Sequence, residues 1–101
     1  MTATDEDRIA HILDAIGNIE RWTAEHQHDD IYRSAVMRQM EIIGEAVTRL
    51  SDQYKAAHPE IAWRDIAGFR VLIAHRYWDT DWSSVEQTIE EDLEALRDSL
   101  K

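Results

Sequence analysis

Apolar residues recur along most of the chain at intervals of three and four, the period of an amphipathic helix, and no stretch alternates strictly enough to read as a strand. The first helical segment runs roughly from Asp5 to Ala24, with Ile9, Ile12, Leu13, Ile16 and Ile19 on one face. Thr4 precedes it and Asp7 follows three residues later, a start of capping-box type. His26 to Asp30 is a short polar loop in which Asp29 or Asp30 can cap the next helix. That second helix, predicted over about Ile31 to Tyr54, carries Val36, Met40, Ile43, Val47, Leu50 and Tyr54 as a heptad-like seam. A second row, Ile31, Ala35, Ile42 and Ala46, widens its apolar arc, so the helix should have neighbours on two sides.

Pro59 breaks the pattern, because proline disfavours helix at the residue before it and starts helices well. A third helix is predicted from about Trp63 to Ala74, with Ile66, Phe69, Leu72 and Ile73 apolar. Trp78 to Asp81 reads as a loop. Ser83 with Glu86 has the form of a capping box for a fourth helix, whose stripe is Val85, Ile89, Leu93, Leu96 and Leu100. No linker, low-complexity tract or internal repeat interrupts the chain. The expectation is an all-α, antiparallel four-helix-type bundle in a single domain, 1–101.

Composition agrees with that pattern. Three glycines and one proline in 101 residues favour helices over turn-rich β structure. The absence of cysteine removes disulfides, thiolate metal sites and cysteine nucleophiles. No apolar leader opens the chain and no window approaches a membrane span, so the expected location is cytoplasmic, away from membranes. A chain this short is small for a self-contained enzyme, which makes a cleft built from two copies, a homodimer, the expected assembly. The formal net charge of -10 repels phosphate backbones on average. Either a small local basic patch meets nucleic acid, or the usual partner is a basic protein.

The chemistry-bearing stretch is Arg70 to Tyr77, in which His75 lies five residues after Arg70 and Tyr77 two residues further on. A five-residue step on an unbroken α-helix turns by about 140°, so Arg70 and His75 would not share a face. A joint role needs the helix to end or loosen near Ala74, or a second chain to complete the site. These residue types suit metal-free RNA cleavage, in which a ribose 2′-hydroxyl attacks the adjacent phosphate. Histidine titrates near neutrality, arginine's planar fork matches phosphate oxygens, and tyrosine can hydrogen-bond a phosphate or stack on a base. Taken by themselves, the same residues fit a surface ion pair, a cation in a helix's last turn and a packing ring.

The run from Arg70 to Tyr77 resembles the R-x4-H-x-Y signature of HEPN domains. Glu41 to Ala46, Leu50-Ser51, His58 to Ile61, Trp63 and the acidic-apolar last helix resemble the HepT-like branch in particular. The resemblance implies a dimeric HEPN bundle whose two motifs face one cleft and act as a metal-independent endoribonuclease, the toxin of a toxin–antitoxin pair. Arg70, His75 and Tyr77 would be catalytic, with RNA as substrate and no metal or cofactor. The implied antitoxin is a minimal nucleotidyltransferase, which in this family can silence the toxin by attaching AMP to the motif tyrosine, here Tyr77. The residue between His and Tyr is often small in such sequences, whereas here it is Arg76. Arg64, Arg70 and Arg76 form the candidate RNA-binding patch, although Arg64 and Arg76 equally fit a role balancing Asp65, Asp79 and Asp81. The alternative to an enzyme is a non-catalytic helical module that binds, and is modified by, a nucleotidyltransferase partner.

Other features have plainer readings. His26, His28, Asp29 and Asp30 are metal-ligand types, but no further ligand set at recognisable spacing accompanies them, which favours a solvated loop. Trp78 and Trp82 could stack on bases, yet anchoring a bundle end or a dimer suits tryptophan better. Glu41 and Glu45, one turn apart, fit an ion-paired face. The acidic last helix fits an exposed face, with an antitoxin-docking surface as the minority reading.

Overall fold

The computed structural model describes residues 4–25, 27–69, 71 and 82–100. Its elements are α1 (Asp5–Glu25), α2 (Asp30–Arg49), α3 (Asp52–Ala56), α4 (Trp63–Ala67), α5 (Trp82–Thr88), a π turn (Ile89–Leu93) and α6 (Glu94–Leu100). No strand occurs among the described residues, so the fold is all-α as expected.

Helix α1 starts as the sequence predicts. Asp7 N–H donates to Thr4 Oγ1 at 3.2 Å and Thr4 N–H donates to Asp7 Oδ2 at 3.0 Å, closing the capping box. Ile12, Ala15, Ile16 and Ile19 are buried. Asp29 caps α2 by accepting from Tyr32 N–H at 2.9 Å. The two helices run antiparallel, because their cross-contacts pair residues of nearly constant sum: Asn18 with Gln39, Thr23 with Tyr32, and Asp5 with Ser51.

The second helix ends at Arg49, five residues short of the expected Tyr54. Leu50 and Ser51 are extended, with ψ of 146° and 151°. The cause is local competition. Ser51 spends its backbone N–H and its hydroxyl on Asp5, at 2.9 and 2.5 Å, and its hydroxyl oxygen accepts from Tyr54 N–H at 3.1 Å. Ser51 therefore starts the short helix α3 instead of continuing α2. The second apolar row also needs correcting, since Ala46 is buried and Ala35 and Ile42 are half-buried, but Ile31 is 81% exposed.

On its other side α2 meets α4 at Gly44. A Cβ placed there would stand 3.3 Å from the carbonyl oxygen of Ile66 and 3.6 Å from Phe69 Cβ, so a side chain at this position would push the two backbones apart by a few tenths of an ångström. Trp63 fixes the entry to α4, its indole N–H reaching the carbonyls of Lys55 and His58, each at 3.0 Å. Ile66 and Phe69 are buried as expected; Leu72 and Ile73 lie outside the described residues. Trp82 is already helical, so Ser83 sits inside α5 and is not its cap.

The last helix is not uniformly α. Val85 and Leu93 are both buried, although an eight-residue step on an α-helix rotates by about 80°. The π turn absorbs one residue and returns Leu93 to the face of Val85, after which Leu96 and Leu100 follow at ordinary spacing. That face packs on α1, where Arg97 pairs with Glu20.

Two predictions test this frame. Gly44→Val forces α2 from α4 and should lower unfolding free energy by about 1–3 kcal/mol, read by urea titration of helicity. The hydroxyl and then the amide of Ser51 hold the Asp5 carboxyl below its ordinary 3.8. A depressed folded value means that this contribution is complete above about pH 4 and is lost as pH falls through the folded value. Asp5→Asn should therefore lower the melting temperature at pH 7 and make little difference near pH 2.

Candidate functional site

Arg70, His75, Arg76, Tyr77 and Trp78 lie outside the described residues, as does His26. What the structure shows is the frame on either side of them. On the entry side α4 ends at Ala67, and Gly68 N–H bonds the carbonyl of Arg64 at 3.0 Å. Phe69, immediately before Arg70, is almost wholly buried against the Gly44 face of α2. Val71 is helical and 61% exposed, and its N–H bonds the carbonyl of Gly68 at 3.0 Å.

The exit side is anchored by Trp82. Its ring meets Tyr32 edge-on, with centroids 6.1 Å apart at 72°, and the Arg33 guanidinium lies 5.4 Å from its centroid. Tyr32 is itself fixed. Its hydroxyl bonds Thr23 Oγ1 at 2.8 Å and its ring stacks on His28 at 4.3 Å. His28 continues the network, with Nε2 3.0 Å from the carbonyl of Thr23 and Nδ1 3.9 Å from Glu86. The C-terminal end of α1, the first turn of α2 and the start of α5 are thus joined through aromatic rings. Trp82 takes the anchoring role expected of it, and its helix holds the chain that leaves the candidate segment.

Arg64 is exposed in α4 and makes no ion pair among the described residues, while Asp79 and Asp81, which it could balance, lie outside them. Glu41 and Glu45 do form the expected ion-paired face, with Arg38 at 3.3 Å and Arg49 at 2.8 Å. Across from α4, burial pushes the Asp92 carboxyl up from its ordinary range, and Asp65 and Glu91 push it further. His28 serves packing and hydrogen bonding, and no cluster of three metal-ligating side chains occurs among the described residues. Sequence reasoning missed Tyr32 and Arg33. Tyr32 was findable, since it stands one turn before Val36 on the buried seam of α2; nothing in the sequence marks Arg33 as the partner of a tryptophan almost fifty residues away.

Fold and frame define a helical protein of HEPN-like architecture, in which a candidate segment runs from a buried phenylalanine to an aromatic anchor. The family model described as "Ribonuclease HepT-like" matches residues 12–101, and the chain belongs to that family. It is 34% identical to the protein named "Probable ribonuclease HepT" of Thermococcus cleftensis, over 96% of this chain and 93% of that one. It is 30% identical to a Methanocaldococcus jannaschii protein named "Gamma-glutamylcyclotransferase and putative RNase", over 89% of this chain but only 43% of that one. No solved structure matches. No helix among the described residues is long and apolar enough to cross a membrane.

A double-mutant cycle between Arg33→Gln and Trp82→Leu should give a coupling of about 0.5–1 kcal/mol in urea unfolding, the size of an exposed to half-buried cation–π contact. Additivity would show that the pair does not hold the exit.

Proposed function

We propose that the chain is a metal-independent endoribonuclease, the toxin of a HEPN and minimal-nucleotidyltransferase toxin–antitoxin system, working as a homodimer. The observation that carries this reading is the family match, which spans residues 12–101 and therefore includes the whole R-x4-H-x-Y run from Arg70 to Tyr77. Both relatives given above carry a ribonuclease in their names, as "Probable ribonuclease HepT" and, beside a gamma-glutamylcyclotransferase, "putative RNase".

In this mechanism Arg70 holds the scissile phosphate and stabilises the charge of the pentacoordinate transition state. His75 transfers protons. The 2′-hydroxyl loses its proton, its oxygen bonds phosphorus, and the bond to the 5′-oxygen of the next nucleotide breaks as that oxygen gains a proton. The products are a 2′,3′-cyclic phosphate and a 5′-hydroxyl. The motif's own side chains supply the acid, the base and the positive charge, so no metal is required. Tyr77 contacts the phosphate and is the point of control. AMP on its hydroxyl would place a negative phosphate beside Arg70 and block RNA from a protein whose net charge is already -10. Arg64 and Arg76 would supply the local positive charge that draws RNA in.

The net charge also favours a second reading, a non-catalytic module whose partner is the nucleotidyltransferase. Purified chain incubated with RNA in EDTA separates the two. Cleavage should persist without metal, leave 2′,3′-cyclic phosphate ends, and fall about 10²–10⁴-fold in His75→Ala and in Arg70→Ala at unchanged melting temperature. Cleavage that needs a divalent metal, or survives His75→Ala, overturns the mechanism; no cleavage by wild type leaves the binding module. Incubation with the partner and ATP should add AMP mass to wild type and none to Tyr77→Phe.

A further inference from the structure

Ile31 is 81% exposed in the first turn of α2, whereas the other described aliphatic residues of that helix are buried or half-buried. Beside it opens a cavity of about 230 Å³ lined by Trp22, Gln27, Asp29, Tyr32 and Ala35 as well as Ile31 itself. The recess opens to solvent, and Trp22, Ile31, Tyr32 and Ala35 make its lining more apolar than polar despite Gln27 and Asp29, so a branched aliphatic side chain can enter it. A projecting apolar side chain and a mainly apolar recess thus lie side by side on one patch.

We infer that this patch is the face on which two copies of the chain pair about a two-fold axis, each Ile31 seated in the other's recess. The inference rests on the homodimer proposed above and adds the surface that forms it. The reason for a second copy is self-complementarity: an isologous interface needs projection and recess on the same patch of each subunit, whereas an unrelated partner needs only one of them. The rim agrees. Arg21 lies 6.0 Å over the Trp22 ring, bonded only to Asn18 among the described residues, and Asp30 makes no ion pair among them. Charges of both signs on one rim can pair across a two-fold axis. RNA is disfavoured as the occupant, because Asp29 and Asp30 border the patch.

The location gives the pairing a functional consequence. Tyr32 and Arg33, the two residues after Ile31, hold Trp82, the first described residue after the candidate segment. Pairing at Ile31 therefore sets Trp82 of each chain near the same interface, one residue contact away from Ile31.

The test is sedimentation equilibrium of wild type and Ile31→Arg across the micromolar range. A buried interface anchor of this kind should raise the dimer dissociation constant at least about 30-fold when replaced by a charge. The lack of native cysteines allows an independent measurement. Under brief oxidation Ile31→Cys should give a disulfide-linked dimer, and Gln53→Cys, exposed on α3, should not. A wild-type dimer that Ile31→Arg leaves intact, with no cross-link at position 31, overturns this face and leaves the homodimer standing. A wild type that is monomeric throughout overturns both. Should Ile31→Arg lose helicity, the two cysteine variants decide.

Discussion

The close approach of α2 and α4 at Gly44 is the constraint on which the rest depends. Backbone meets backbone there, with only a hydrogen where any other residue would carry a methyl group, and the distance is set by the carbonyl of Ile66. That contact seats Ile66 and Phe69 in the core, the latter immediately before the candidate segment in sequence. The far side of the same segment depends on a softer arrangement of rings, Trp82 against Tyr32 and Tyr32 against His28, tied to α1 through Thr23. One end is fixed by steric exclusion and the other by stacking and a cation. A site held in this way keeps its entry rigid while its exit can be tuned by single side chains.

Much of this was legible in the sequence because periodicity reports burial directly. Ile12, Ile16, Ile19, Val36, Met40, Ile43 and Val47 are core residues for the same reason that they recur at helical spacing. The caps at Thr4 and Asp29 were readable because a short polar side chain before an apolar run does one common job. The errors arise where a distant residue competes with a local rule. Ser51 leaves the helix because Asp5, forty-six positions earlier, accepts its donors. Ile31 follows the apolar rhythm but lies in the first turn of α2, beside the loop that joins it to α1, and stays 81% exposed. Of the candidate site, the resemblance of the Arg70-to-Tyr77 run to a family signature singled out Arg70, His75 and Tyr77, since their chemistry and spacing alone fit plainer roles equally well, whereas the Arg33–Trp82 contact depends on tertiary geometry that no local pattern encodes.

The charge of the protein is unevenly used. Several arginines are neutralised on their own surfaces: Arg38 and Arg49 by glutamates of α2, and Arg97 by Glu20, Glu94 and Asp98. Arg64, in α4 and six positions before Arg70, makes no ion pair among the described residues, and Arg8, Arg21 and Arg33 make none there either, so uncommitted cations are not confined to that helix. The excess of carboxylates over the surface as a whole discourages a polyanion wherever no such cation stands.

The π turn at Ile89–Leu93 has a consequence for how this helix can vary among its relatives. It contains one residue more than an α-helix needs to carry Val85 and Leu93 on a common face. Removing a single residue from the turn would restore regular winding without rotating α6 away from α1, and the ion pair of Arg97 with Glu20 would keep its place. The same deletion within α2 would swing every later side chain by about 100° and empty the core. Of the helices described, the last is thus the one that can absorb a one-residue loss with least rotation of its core face.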